Sequence, residues 1–166
     1  MAITFTPDDL FEIAEQIERN GARFYKQAAT RTPDPKIREE LTRLSFMEEN
    51  HERVFAGMRK ELSRRNRAPE SFDPEGDAAR YLQDVADGKI FPRDMNPDEL
   101  LPKDVTLDKI FQVAIGLEKD SVVFYVGMQK LVPGGEEKDR IGKIIEEEMG
   151  HIASLTRRRD LLKKGA

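Results

Sequence analysis

Cysteine and tryptophan are missing from this chain of 166 residues, and aromatic side chains make up only 7% of it. Without a thiol there are no disulfides, thiolate metal sites, iron–sulfur clusters or cysteine nucleophiles. A cysteine-free chain also accords with the cytoplasm, the expected compartment. Long apolar runs are missing as well: no stretch approaches the roughly 20 residues that span a bilayer as a helix, so no membrane is expected as a partner. The opening "MAITFTPDDLFEI" lacks the basic start and apolar stretch of a secretory leader. Nor is one sign of charge in excess. Lys and Arg number 28 against 32 Asp and Glu, a net charge of −4, with both signs interleaved. That gives no basic face for nucleic acid. The terminal "RRRDLLKKG" reads as a basic helix end complementing the helix dipole rather than as a binding patch. What remains is a chain 36% charged and 38% hydrophobic, long enough to bury one real core. Amphipathic helices that each bury one stripe satisfy that balance.

Helix signals follow in order. Thr6 is a good N-cap, Pro7 suits the first helical position, and Asp8 and Asp9 complement the dipole of the first turn. Apolar or small residues then recur at Phe11, Ala14, Ile17, Gly21, Phe24, Tyr25 and Ala28, a helical period. "RTPDP" breaks the chain. Asp34 caps a second helix whose apolar stripe is Ile37, Leu41, Leu44, Met47, Val54, Phe55 and Met58. Between Asn66 and Asp104 prolines and glycines cluster in "RAPESFDPEGD" and "KIFPRDMNPDELLPKD", around one short helical piece, "AARYLQDVAD". A third helix begins near Thr106 and ends at "VPGG"; a fourth runs to Gly165. The reading is all-α, a single domain: hairpin 1 over about 6–65, a crossover with one or two short helices over about 66–105, and hairpin 2 over about 106–164. Two hairpins joined by one long crossover is the connectivity of ferritin-like four-helix bundles.

The hairpins repeat one another at an offset of 100 residues, without gaps. Phe11, Ala14 and Ile17 fall on Phe111, Ala114 and Leu117; Phe24 and Tyr25 on Phe124 and Tyr125; Leu41 and Leu44 on Ile141 and Ile144; Phe55 on Leu155. Related hairpins would share such a stripe in any case, so the polar residues inside it are more telling. Glu12 becomes Gln112, Glu15 becomes Ile115, Met47 becomes Glu147 and Glu49 becomes Met149, as drifting solvated positions do. Glu18 stays as Glu118, Glu48 as Glu148 and His51 as His151, and His51 and His151 are the only histidines.

These positions point inward. Glu18 shares a face with Ala14, Gly21 and Tyr25, and Glu48 and His51 share one with Leu44 and Phe55. An ionised carboxylate in a core costs several kcal/mol unless it is paired or bound to metal, and four together repel one another. Residues three apart on a helix lie on one face, so each Glu-x-x-His offers an oxygen and a nitrogen to one site. A Glu from each of two helices with a Glu-x-x-His from each of the other two is the ligand set of di-iron and di-manganese carboxylate bundles. One Glu-x-x-His alone would read as structural or solvated; two in register with a third repeated Glu favour metal. Tyr25 and Tyr125 fit equally a core role or a hydrogen-bond donor to a ligating carboxylate. The methionines and phenylalanine pairs are assigned to the core.

On these residues the chain resembles the rubrerythrin branch of the ferritin-like superfamily. The matching segments are Glu18 followed by "GARFY", "EENH" at 48–51, Glu118 followed by "SVVFY", and "EMGH" at 148–151, covering both hairpins. The resemblance implies two iron ions per four-helix bundle, with Mn or Zn acceptable to the same ligands. Glu48 and Glu148 would bridge them, Glu18 and Glu118 would be terminal carboxylates, and His51 and His151 would each bind one ion. It further implies an oxidoreductase reacting with hydrogen peroxide or oxygen, as a peroxidase or ferroxidase, and a homodimer whose hairpins could be exchanged through the crossover. The alternative is a non-catalytic iron-binding or metal-handling protein. Two features depart from the best-known rubrerythrins. The four cysteines of a rubredoxin-like domain are missing, so an external electron donor such as a rubredoxin-type protein is expected. The further carboxylate one turn beyond the third-helix Glu is replaced by Ser121, matched by Gly21, leaving a six-ligand site.

Overall fold

The computed structural model describes residues 6–65, 75–89 and 95–165. The N-terminal stretch before Thr6 and most of "RAPESFDPEGD" and "KIFPRD" lie outside them. Six helices make up the described chain: α1 (Pro7–Thr30), α2 (Pro35–Arg65), α3 (Asp77–Ala86), α4 (Pro97–Leu100), α5 (Leu107–Leu131) and α6 (Gly135–Lys164). Their ends are set by the residues that satisfy the orphan backbone groups there. Thr6 and Asp9 form a reciprocal capping box at the start of α1. Asp34 accepts from the backbone N–H groups of Lys36 and Ile37 at 2.8 and 3.3 Å to open α2. Thr106 caps α5 through the N–H of Lys109. The turn between α5 and α6 needs Gly134, whose φ of 94° lies in the left-handed region.

Short connections make α1 and α2, and likewise α5 and α6, antiparallel neighbours that pack along their lengths. The two hairpins face each other through α1 against α5 and α2 against α6. The crossover is bound to the bundle from outside. In α3, Leu82 and Val85 are buried, and Tyr81 lies over Gly127 of α5, where an added Cβ would sit 3.7 Å from its ring. Near α4, Arg31 reaches the carbonyl of Leu101 at 3.0 Å and the carboxylate of Asp98 at 3.1 Å.

Apolar residues collect in two separate clusters rather than one. One joins Leu10, Phe11, Phe55, Met58, Phe124, Tyr125 and Ile141; the other joins Phe24, Tyr25, Leu41, Ile110, Phe111 and Leu155. Each therefore draws on opposite ends of the antiparallel partners, and a polar layer divides the core at mid-height. The predicted stripes hold with adjustments: Ile17, Gly21, Met47 and Val54, and Leu117 in the repeat, are only partly buried. The basic end of α6 is largely an ion-paired surface, with Arg158 bound to Glu40 at 2.9 Å and Arg159 forked onto Asp108 at 2.7 and 3.1 Å.

Candidate metal centre

The dividing layer is made of the repeated polar residues. Glu18 lies halfway along α1 and Glu118 halfway along α5, with Glu48 and His51 one turn apart on α2 and Glu148 and His151 on α6. All six are buried; the most accessible, His151, is 6% exposed.

Both imidazoles turn Nδ1 into the layer. His51 Nδ1 stands 2.9 Å from Glu148 Oε1 and 3.5 Å from Glu18 Oε2. His151 Nδ1 stands 2.8 Å from Glu148 Oε2, 3.5 Å from Glu48 Oε1 and 3.7 Å from Glu118 Oε2. The rings face each other at 6.0 Å between centroids, 26° from parallel. Two sets of ligand atoms result, Glu18, Glu48, His51 and Glu148 in one and Glu48, Glu118, Glu148 and His151 in the other, each within 4.8 Å. Glu48 and Glu148 belong to both, which is the disposition of carboxylates that could bridge two cations.

Whether these residues suit a metal can be judged from their unmet polar atoms. Glu18 Oε2, Glu48 Oε1, Glu148 Oε1 and His51 Nδ1 are buried with no hydrogen-bond partner among the described residues. They lie close together, in a geometry that makes no hydrogen bond among them. Left so, each would carry a desolvation cost that a native core rarely tolerates. A pair of divalent cations removes it, and a donor set of carboxylate oxygens with imidazole suits Fe, Mn or Zn.

The tyrosines take up the remaining carboxylate oxygens. Tyr25 on α1 donates its hydroxyl to Glu118 Oε1 on α5, and Tyr125 on α5 donates to Glu18 Oε1 on α1. Of the two roles open from sequence, the donor role is the one built, and the rings are core residues as well. Burial, reinforced by the carboxylates beside them, pushes both phenols well above their ordinary range, so they remain protonated donors.

Charge within the layer is unevenly held. Burial raises Glu48 well above the usual carboxylate range, aided by Glu18 and Glu148. Burial also dominates at Glu118, which rises to about 8. Burial pushes Glu148 the same way, but the imidazoles of His151 and His51 beside it overcome it and hold that carboxyl below its ordinary range. Burial alone would lower the histidines; the carboxylates around them instead raise His51 to about 11 and His151 to about 9.

One residue of the site was not singled out from sequence. Glu147, grouped there with the drifting solvated glutamates, is half exposed, yet its Oε2 lies 2.7 Å from His51 Nε2. Gly21 gives Glu48 its room, since a Cβ there would come within 3.2 Å of Glu48 Oε2. Its position in the apolar stripe beside a repeated glutamate was a readable signal; nothing local marked Glu147. Ser121 spends its hydroxyl on the carbonyl of Leu117 at 3.0 Å and adds no ligand. Gly21 and Ser121 border a cavity of about 50 Å³ that reaches Tyr25, Glu48 and Glu118. A larger hollow, about 390 Å³, opens on the α2–α6 side beside His51 and Glu147.

No protein-family model matches this chain, and no curated protein matches it. Among solved structures it is similar to a protein of Thermotoga maritima described as a ferritin-like diiron-carboxylate protein. The TM-score is 0.68 at 20% sequence identity, over 94% of this chain and 95% of that one. The fold is therefore the ferritin-like all-α bundle. Among the described residues, no helix is long and apolar enough to cross a membrane.

Proposed function

We propose that the buried layer binds two iron ions and that the protein is a non-haem di-iron oxidoreductase acting on hydrogen peroxide or oxygen. The observation that carries this reading is the pair of ligand sets sharing Glu48 and Glu148, with buried carboxylate oxygens that have no hydrogen-bond partner among the described residues. The neighbour described as a diiron-carboxylate protein supports it, as do the rubrerythrin-like motifs. Glu18 and His51 would hold one ion and Glu118 and His151 the other, the shared carboxylates spanning both. When bound, the pair supplies electrons to an oxidant by passing from ferrous to ferric.

The protein's own residues do the rest. Tyr25 and Tyr125 hold Glu118 and Glu18 in place through their hydroxyls and keep them from swinging toward water. The two apolar clusters above and below exclude bulk solvent. The cavity beside Gly21 and Ser121 has room for a water-sized oxidant and little more. Repeated turnover would draw its electrons from a donor such as a rubredoxin-type protein. A homodimer is the proposed assembly, checked by light scattering.

The test is anaerobic loading of the metal-free protein with Fe(II), followed by stopped-flow mixing with peroxide and with oxygen. Uptake of two Fe(II) per bundle and oxidation faster than that of free Fe(II) are expected. Binding without acceleration, or without cycling when reductant is added, would leave a metal-handling protein instead. No metal uptake would overturn the reading altogether.

A further inference from the structure

The two halves of the centre match at all six ligand positions but differ beside them, and one of those differences falls on a histidine. His51 Nε2 lies 2.7 Å from Glu147 Oε2. His151 Nε2, its counterpart, is buried with no hydrogen-bond partner among the described residues. The register explains the difference: Glu147 immediately precedes Glu148 on α6, and the residue immediately preceding Glu48 on α2 is Met47, which has no carboxylate to offer.

For an imidazole this difference is chemical. A ring ligating through one nitrogen must carry its proton on the other, and the partner of that other nitrogen decides the tautomer and orients the ring. Both histidines aim Nδ1 at the carboxylate layer. Glu147 can accept the Nε2–H of His51, leaving the Nδ1 lone pair free and, being anionic, making it a better donor. His151 has to keep a proton on a buried Nε2 with nowhere to donate it, a costly arrangement. We infer that Glu147 is a positioning residue for His51 and that it makes the two metal positions unequal. The position built on Glu18 and His51 binds first and more tightly than the one built on Glu118 and His151. This rests on the metal-binding reading above.

Glu147 is 53% exposed at its side chain, so replacing it does not disturb the core. The experiment titrates the metal-free protein with Mn(II) under argon, following free Mn(II) by electron paramagnetic resonance. Wild type is expected to bind in two steps separated by about tenfold or more. Glu147→Met should weaken the first step by roughly 10- to 100-fold, bringing it near the second, which stays unchanged. Glu147→Gln, whose carbonyl can still accept the hydrogen bond, should fall between the two. Met47→Glu should strengthen the second step. In the Zn(II)-loaded, ¹⁵N-labelled protein, the Nε2–H signal of His51 should be shifted downfield and slow to exchange, and lose both properties in Glu147→Met. Two equal steps in wild type, or a first step unaltered by Glu147→Met, would overturn the inference while leaving the di-metal reading intact. Failure of wild type to bind Mn(II), Fe(II) or Zn(II) would instead overturn the reading on which it rests.

Discussion

Glu48 and Glu148 are equivalent in the repeat and opposite in the electrostatics of the metal-free protein, so one substitution made at both positions separates the two properties. Glu148 faces both histidines, at 2.9 and 2.8 Å, and is held ionised by them. Glu48 approaches only His151, at 3.5 Å, and burial beside Glu18 and Glu148 pushes it well above the usual carboxylate range, toward its neutral form. Glutamine closely matches a protonated glutamate in size and charge, so Glu48→Gln should change metal-free stability at pH 7 by no more than about 1 kcal/mol. Glu148→Gln removes the carboxylate on which two buried imidazolium groups depend. Breaking a buried ion pair from one side costs about 3–5 kcal/mol. For a domain of this size, 1 kcal/mol moves Tm by roughly 2–4 °C, so the two variants should differ by on the order of 10 °C. The assay is urea and thermal unfolding at pH 7 with a chelator present, then with Mn(II) or Zn(II). Free metal at a hundredfold excess over Kd stabilises the wild type by about 2.7 kcal/mol, and both variants should lose most of that gain. Equal destabilisation of the two metal-free variants would refute the electrostatic assignment. A wild-type metal response in either would refute its place in the centre.

Removing the hydroxyl in Tyr125→Phe leaves Glu18 without its donor and should cost about 1–3 kcal/mol in urea unfolding; Tyr25→Phe, which acts on Glu118, should match it within about 1 kcal/mol. Gly21→Ala gains up to about 1 kcal/mol of helix propensity but presses on Glu48, so calorimetry should find metal-free stability little changed and metal affinity lowered. At pH 7 the metal-free centre holds protons on both imidazoles and on Glu118, and binding must displace them. Zn(II) loading in weakly buffered solution should therefore release protons, and apparent affinity should rise with pH through about 8 and 9 and on to about 11, where His51 titrates. The same shifts act on stability. His151 is raised from 6.5 to about 9, so its contribution is complete below about pH 6.5 and is lost as pH rises through 9; Glu118, raised to about 8, acts in the same direction. Chelator-treated protein should thus weaken between pH 6.5 and 9, and a rise in urea midpoint over that range would contradict the assignment.

Much of this architecture was legible in the sequence because its signals are local. The Thr6 and Asp34 caps, the "RTPDP" break and the apolar stripes rest on backbone chemistry and helical periodicity, and the helices begin where those signals stand. The burial of Glu18, Glu48, His51 and their counterparts followed from one face shared with apolar neighbours, reinforced by the repeat. Burial of Met47 and Val54 was overstated, because a stripe read along one helix does not show where the facing helix ends its cover. The reading of Glu147 as a solvated position left out a contact, because a half-exposed residue can still bond a buried one across a helix pair.

By itself the sequence determined four long helices, their pairing into two hairpins and the six buried polar positions, since each depends on residues within a few turns of one another. Other features depend on distances between helices far apart in the chain. Only the tertiary structure brings Tyr25 to Glu118 and Tyr125 to Glu18, closes both ligand sets around Glu48 and Glu148, and makes Glu148 the ionised partner of both histidines. It also places Glu147 on His51 and leaves His151 unpartnered at Nε2. The repeat makes the halves alike in composition; packing makes them unlike in charge and hydrogen bonding, because a single residue on α6 reaches across to α2 and its counterpart on α2 is a methionine.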